Sequence, residues 1–248
     1  MQNQFFLLFA CLLVAFPLIC SGQDTKKVLV KSKNSNYREE YSVLKTAPTL
    51  KHGRYMKYEG GFLRKTIVSG YYTNGKKDSL WTEYSWNHKS LWSKGRYHND
   101  QKVGIWEYYS FTGELEQKYD YTRHQLLFNK PSSLELKVTF KSLMAGVALD
   151  ANPVYIGGLS TAYAFITKNI RYPAIYLRSQ VDGTVRIAFT ITSNGETTNY
   201  RVARPIASGL DEEAMRVVKL LPATWLPASI GGKPVAAECE LPVTFRIN

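Results

Sequence analysis

Cysteine, usable histidine pairs and long apolar runs are all scarce in this sequence, and each shortage removes a class of protein. Three cysteines occur in 248 residues, and two of them, Cys11 and Cys20, lie in the opening segment. If that segment is removed, Cys239 stands alone, no intramolecular disulfide can form, and stability must come from packing. Cys239 sits on the apolar side of an alternating run and reads as a small core residue. The four histidines, His52, His88, His98 and His124, show neither the i, i+4 helical spacing nor the close cysteines of a zinc site, so no metal site is assigned. No Ser/His/Asp or Cys/His constellation and no phosphate-cradling glycine loop stands out. The sequence therefore offers no catalytic residue and no cofactor site, and the expectation is a protein that is not an enzyme. Glu116 and Asp120 are expected at the surface, where pairing them as acid and base would be arbitrary.

The longest uncharged apolar run, Phe5–Ile19, is 15 residues, short of the ~20 needed to span a bilayer as a helix. Small residues follow at Ser21-Gly22 and the first charge is Asp24. This is the layout of a secretory signal peptide cleaved near Gly22, although the n-region carries only its terminal amine. Two alternatives stay open: lipidation at Cys20, for which Ile19 is a poor neighbour, and retention of the run as a marginal anchor.

What is present is positive charge and aromatic rings. The chain carries 32 Lys+Arg against 20 Asp+Glu. Residues 151–248 hold a net +3 of that excess and residues 24–150 hold +9. A basic surface can serve nucleic acid, anionic lipid or acidic glycan, or simply keep a face solvated. No nucleic-acid motif is present, and export argues against DNA or RNA as partner. Seventeen tyrosines favour β structure, where rings fit a half-buried pleated surface.

Those rings repeat. Gly70-Tyr71-Tyr72-Thr73-Asn74 corresponds to Gly95-Arg96-Tyr97-His98-Asn99, 25 residues later. Leu80-Trp81-Thr82-Glu83-Tyr84-Ser85-Trp86 corresponds to Ile105-Trp106-Glu107-Tyr108-Tyr109-Ser110-Phe111, and Gly53-Arg54-Tyr55-Met56-Lys57-Tyr58 is a weaker earlier copy. Self-similarity at this period marks stacked units that cannot bury their apolar faces alone. Asn74-Gly75 and Thr112-Gly113 supply turns, so an antiparallel meander of hairpins is expected. The pattern resembles MORN-type repeats over residues 50–122. The resemblance implies a scaffold or binding surface, here Tyr72, Trp81, Tyr84, Tyr97, Trp106 and Tyr109.

From Pro153 the pattern changes. Helical spacing runs over Ser160–Asn169, Tyr172-Pro173 breaks it, and a short second helix fits Ala174–Ser179. Val185, Ile187, Phe189 and Ile191 alternate as a half-buried strand. Asn194-Gly195 marks a hairpin and Thr198–Ala203 returns. Ser208 and Asp211 form a near relative of the capping box. Leu210, Ala214, Val217 and Leu221 make the buried stripe of the helix that follows, and Pro222 ends it. Cys239, Leu241, Val243, Phe245 and Ile247 alternate in a last strand. Pro242 cannot donate to a ladder and so places that strand at a sheet edge.

The ordered set Tyr172-Pro173, Gly183-x-Val185, Phe189-x-Ile191, Asn194-Gly195, Leu210-Asp211, Trp225-x-Pro227-Ala228, Gly232-Lys233-Pro234-Val235 and Leu241-Pro242-Val243-x-Phe245 resembles the TonB C-terminal domain, in the form common in Bacteroidetes. The resemblance covers residues 153–248. It implies an α+β domain with a three-stranded antiparallel sheet and packed helices, in the periplasm. It also implies docking to outer-membrane receptors by β-augmentation, in which main-chain bonds give affinity and alternate side chains give selectivity. On this chain the docking edge would comprise Glu240, Pro242, Thr244, Phe245 and Arg246, with Glu240, Thr244 and Arg246 as outward readers. A transducer's inner-membrane helix and long Pro-rich spacer have no counterpart here, and β-repeats stand in the spacer's place. The expected organisation is a signal peptide at 1–22, a linker or N-terminal segment at 23–49, repeats at 50–130, a linker at 131–152 and the TonB-like domain at 153–248. Expected partners are an outer-membrane receptor or another envelope protein, or a second copy through edge strands. A general envelope scaffold that binds proteins or glycans through the basic repeats is the alternative reading.

Overall fold

The computed structural model describes residues 24–33, 35–61, 64–85, 90–130 and 138–247. The expected signal peptide, Trp86, His88 and residues 131–137 of the expected linker lie outside the described residues.

Nine antiparallel strands form the first sheet: β1 (Thr25–Lys31), β2 (Tyr37–Leu44), β3 (Ala47–Glu59), β4 (Lys65–Thr73), β5 (Lys76–Tyr84), β6 (Leu91–His98), β7 (Gln101–Tyr109), β8 (Leu115–Asp120) and β9 (Gln125–Asn129). Their spatial order is their sequence order, so within the sheet each strand pairs only with its chain neighbours. The sheet begins well before the expected repeat start at residue 50. Residues 23–49, expected as a linker or N-terminal segment, contribute β1, β2 and the start of β3.

The repeat has a steric cause. The Trp81 indole lies flat where a Cβ on Gly70 would stand, 2.2 Å away, and Trp106 does the same over Gly95. Trp81 Nε1 donates to the Tyr71 carbonyl at 3.1 Å, and Trp106 Nε1 donates to the Arg96 carbonyl at 3.0 Å. The glycine of one strand thus makes room for the tryptophan of the next, and the residue after the glycine receives its N–H. Asn74-Gly75 and Asn99-Asp100 turn the hairpins with positive φ at both positions, the geometry that matches strand twist.

The second sheet belongs to the C-terminal part. Its elements are β10 (Thr139–Ser142), β11 (Val154–Tyr155), α1 (Gly158–Asn169), α2 (Ala174–Arg178), β12 (Gly183–Ile191), β13 (Thr197–Arg204), α3 (Ser208–Lys219), β14 (Trp225–Leu226), β15 (Ala228–Ile230), β16 (Lys233–Val235) and β17 (Ala237–Phe245). The sheet order is β10-β17-β12-β13, while β11 pairs with β14 and β15 with β16. The expected three-stranded core is present as β17-β12-β13. A fourth strand, β10, joins it from residues expected to be linker. The core gathers Val185, Ile187, Phe189 and Ile191 of β12, Cys239, Leu241, Val243 and Phe245 of β17, Leu210, Ala214 and Val217 of α3, and Ala162 and Ile166 of α1. Each large side chain buried this way contributes ~1.5–3 kcal/mol.

Helix α3 is capped differently from the capping-box expectation. Its N-cap is Ala207, with no side-chain cap, and Asp211 Oδ1 instead accepts the Ile206 N–H at 2.9 Å.

Because the indole occupies the Cβ position, Gly95→Ala should destabilise the protein by about 1–3 kcal/mol. Gly61→Ala, where a Cβ meets nothing within 4 Å, should stay within about 0.5 kcal/mol. Urea unfolding of the two variants against the parent checks both.

Candidate functional site

Strand β17 holds four of the five expected docking residues, and Arg246 directly follows it. It pairs with β12 along its whole length, from Ala237↔Ile191 to Phe245↔Gly183. On its other side, β10 pairs with Ala237–Glu240. The expected edge Glu240–Arg246 is therefore covered at its start by a strand of the same chain. From Leu241 onward no strand pairs on that side among the described residues.

The five expected docking residues divide by burial. Pro242 and Phe245 are buried, Glu240 is half-buried, and Thr244 and Arg246 are exposed. Phe245 belongs to the core and meets Tyr172 edge-on at 5.5 Å. Pro242 has no N–H to give, and its carbonyl accepts the Tyr163 hydroxyl of α1 at 3.2 Å. Glu240 is already engaged, 3.1 Å from Arg186 and 3.7 Å from Lys141. Thr244 shares a hydroxyl contact with Thr184 at 3.0 Å. Thr244 and Arg246 are thus exposed, while Glu240 is held in ion pairs within the chain.

The repeat residues divide too. Trp81 and Trp106 were expected on a binding surface, but each is only 2 % exposed. The flanking glycines let them sink onto the sheet. They join Tyr55 and Tyr108 in a cluster against which Tyr72 and Tyr97 pack. Burial pushes the Tyr97 hydroxyl up to about 12. Tyr109 is half-buried and donates to Glu107 at 2.8 Å. Tyr84 lines a cleft of about 500 Å³ with Tyr37, Trp92, Phe111, Lys57 and Lys168.

A row of lysines escaped the sequence reading. Lys51 lies 4.5 Å over the Tyr41 ring, Lys77 4.5 Å over Trp81 and Lys102 4.3 Å over Trp106. Their signal was the same 25- or 26-residue spacing that the rings show. Burial holds Lys102 down at about 8. Part of the basic excess is therefore folded onto aromatic faces by cation–π attraction and is not available as solvated charge.

The two sheets meet at β8. Glu116 and Asp120, expected at the surface, are 3 % and 6 % exposed. Asp120 Oδ1 accepts the N–H groups of Thr122 and Arg123 in the following turn. Glu116 points across to the start of α1, where Oε1 accepts the Ser160 N–H at 3.2 Å. Helix starts leave N–H groups unpaired and favour negative charge, and α1 has no side-chain cap of its own. Glu116 supplies an acceptor there from β8. Gly157 and Gly158 sit at φ +108° and +80°, and a Cβ on Gly158 would stand 2.6 Å from the Glu116 carboxyl carbon. Beside Glu116, Gln117 donates to the Tyr155 carbonyl at 3.0 Å and accepts the Gly157 N–H at 2.6 Å. Glu116 Oε2 and the Ser160 hydroxyl have no hydrogen-bond partner. Burial pushes the Glu116 carboxyl above the usual carboxylate range, and the Ser160 and Leu159 groups oppose the shift without cancelling it.

Among the described residues there is no group of three or more His, Cys, Asp or Glu placed to hold a metal ion. Cys239 is buried in the core, and burial raises its thiol well above the usual range. No helix among the described residues is long and apolar enough to cross a membrane.

The C-terminal part is a mixed domain whose helices pack on one antiparallel sheet, with its last strand uncovered on one side beyond Glu240 among the described residues. Residues 168–247 match the family described as Gram-negative bacterial TonB protein C-terminal. The family is a non-catalytic interaction module associated with TonB-dependent receptors of the outer membrane. Two solution structures of the Helicobacter pylori TonB C-terminal domain are similar to this part of the chain. The longer is 20% identical, covers 36% of this chain and 80% of its own, and has a TM-score of 0.28. The shorter is 23% identical, covers 35% and 90%, and has the same TM-score of 0.28. No curated protein matches the sequence significantly.

The raised Glu116 carboxyl has a definite pH signature. A carboxyl held above its unfolded value stabilises the fold at low pH, and that contribution is lost as pH rises through the folded value. Glu116→Gln keeps an acceptor, adds a donor toward the Ser160 hydroxyl and removes the buried charge. The variant should melt within about 1 °C of the parent near pH 4 and about 2–4 °C above it at pH 8. Thermal unfolding monitored across that range checks this, and a parallel offset at all pH values would contradict it.

Proposed function

We propose that this protein is a non-catalytic binding module of the cell envelope. Its C-terminal domain takes an extended segment of an outer-membrane receptor by strand addition along β17, in TonB-linked transport or its regulation. The observation that carries the reading is the outer side of Leu241–Phe245, which has no strand partner among the described residues and lies within the matched family region. An exposed strand side of this kind is a template for pairing. Thr244 and Arg246 are the proposed readers, with Glu240 contributing once its ion pair is traded. The proposed location is the periplasm, after cleavage near Gly22. The sheet of β1–β9 serves as a rigid second surface in place of a spacer.

The cleft of Tyr37, Tyr84, Trp92 and Phe111 with Lys57 and Lys168 favours a second reading, in which the repeats hold an acidic glycan on aromatic faces. Titration with uronic-acid oligosaccharides separates the two, because only the second reading expects binding that Trp92→Ala abolishes.

Strand addition makes a geometric prediction. Thr244→Cys, challenged with synthetic receptor amino-terminal segments that carry cysteine at successive positions, should trap one position strongly and neither of its immediate neighbours, because strand side chains alternate and only the directly opposed cysteine comes within disulfide reach. Trapping at adjacent positions alike, or none at all, would sink strand addition at this edge.

A further inference from the structure

The proposed docking side of β17 already has an occupant over four of its nine residues. β10 pairs antiparallel with it through Thr139↔Glu240, Phe140↔Cys239, Lys141↔Glu238 and Ser142↔Ala237. The other side of β17 is taken by β12 along all nine residues. A strand has one row of hydrogen-bonding groups on each side, so a third neighbour has nowhere to pair. Covering an edge with a short local segment is one way a chain keeps it from pairing with other molecules.

The attachment of β10 is modest. Phe140 packs against the core and meets Trp225 edge-on at 6.2 Å. Lys141 lies 3.7 Å from Glu240, and Thr139 Oγ1 lies 3.4 Å from Arg186 Nη2. The strand is four residues long, Thr139 and Lys141 are exposed, and Leu143 and Met144 just beyond it are more than half exposed. Phe140 with Val138 beside it, one partly exposed ion pair, the Thr139–Arg186 contact and a four-residue ladder hold it.

We infer that β10 is a displaceable occupant of the docking edge. A strand from another chain pairs along Ala237–Glu240 only after β10 leaves, while Leu241–Phe245 offers the first foothold. This rests on the reading of β17 as the docking edge. It also defines the chemistry of the incoming segment. That segment needs an aromatic or large apolar residue to replace Phe140 against Trp225, and a basic neighbour to replace Lys141 beside Glu240. Phe140 further lines a cavity of about 160 Å³ with Glu116, Asn129, Tyr155 and Gly158. Its withdrawal would therefore open the seam between the two sheets.

The register supplies the test. Phe140 faces Cys239 across the ladder, so Phe140→Cys in the full chain, with Cys11→Ser and Cys20→Ser to leave one pairing, places two thiols as cross-strand neighbours within disulfide reach. Diamide locks β10 down and dithiothreitol frees it in the same molecule. The probe is a fluorescent synthetic peptide copying Val138–Met144. The reduced protein should bind it at least about tenfold more tightly than the locked protein, since an occupied edge lowers apparent affinity by the fraction left open. Phe140→Ser, which cannot lock, should bind the peptide equally with and without reductant. Equal binding by locked and reduced protein, no binding by the reduced form, or failure of the two thiols to pair would each overturn the proposal. Receptor segments are a separate arm. If they bind the locked and free forms alike while the copied peptide does not, the docking reading fails and the occupancy of the edge by β10 stands.

Discussion

The side-chain amide of Gln117 is the contact on which the arrangement of the two sheets depends. It is fully buried, donates to Asn129 and to the Tyr155 carbonyl, and accepts the Gly157 N–H. In effect it is a short piece of peptide inserted between β8 and the strand that leads into α1. A buried amide is costly unless its donors and acceptor are met, and all three bonds are made only when the repeat sheet and the C-terminal domain sit in this one relation. Glu116, at the next position, adds an acceptor for the Ser160 N–H at the start of α1. The two left-handed glycines, Gly157 and Gly158, let the chain bend tightly enough for both contacts to form together.

How much of this was legible in the sequence depended on the range of the interaction. The Trp81/Gly70 and Trp106/Gly95 pairs are 11 residues apart and recur, so the repeats announced themselves, as did the alternation of β12 and β17 and the stripe of α3. What local pattern could not reveal was which face of the repeat is buried. A tryptophan beside an open glycine looks like an exposed ring until the neighbouring strand is laid against it. Glu116 reads as a surface residue because the helix start that covers it lies about 40 residues downstream. β1 and β2 carry no Gly/Trp pair and so merged with a presumed linker. β10 is four residues whose strand character exists only through Cys239 and its neighbours, nearly a hundred positions away.

The expected docking residues show the same division. Alternation placed Glu240, Thr244 and Arg246 on one face of the last strand, and Thr244 and Arg246 are exposed there. The presence of Pro242 suggested an edge because proline gives no hydrogen bond to a ladder. That rule says where a strand cannot be fully paired but is silent on what else covers it. Here part of the side is held by β10, and the Pro242 carbonyl is held by a tyrosine from α1.

The sequential order of the first sheet has a consequence of its own. Each 25-residue unit adds two strands, and neighbouring strands stand about 4.8 Å apart. Insertion or loss of one unit would therefore lengthen or shorten the sheet by about 10 Å without asking any other strand to change partners. The repeat region is in that sense a ruler, graduated in hairpins, and the position of its last mark decides how far the C-terminal domain is carried from the first strand.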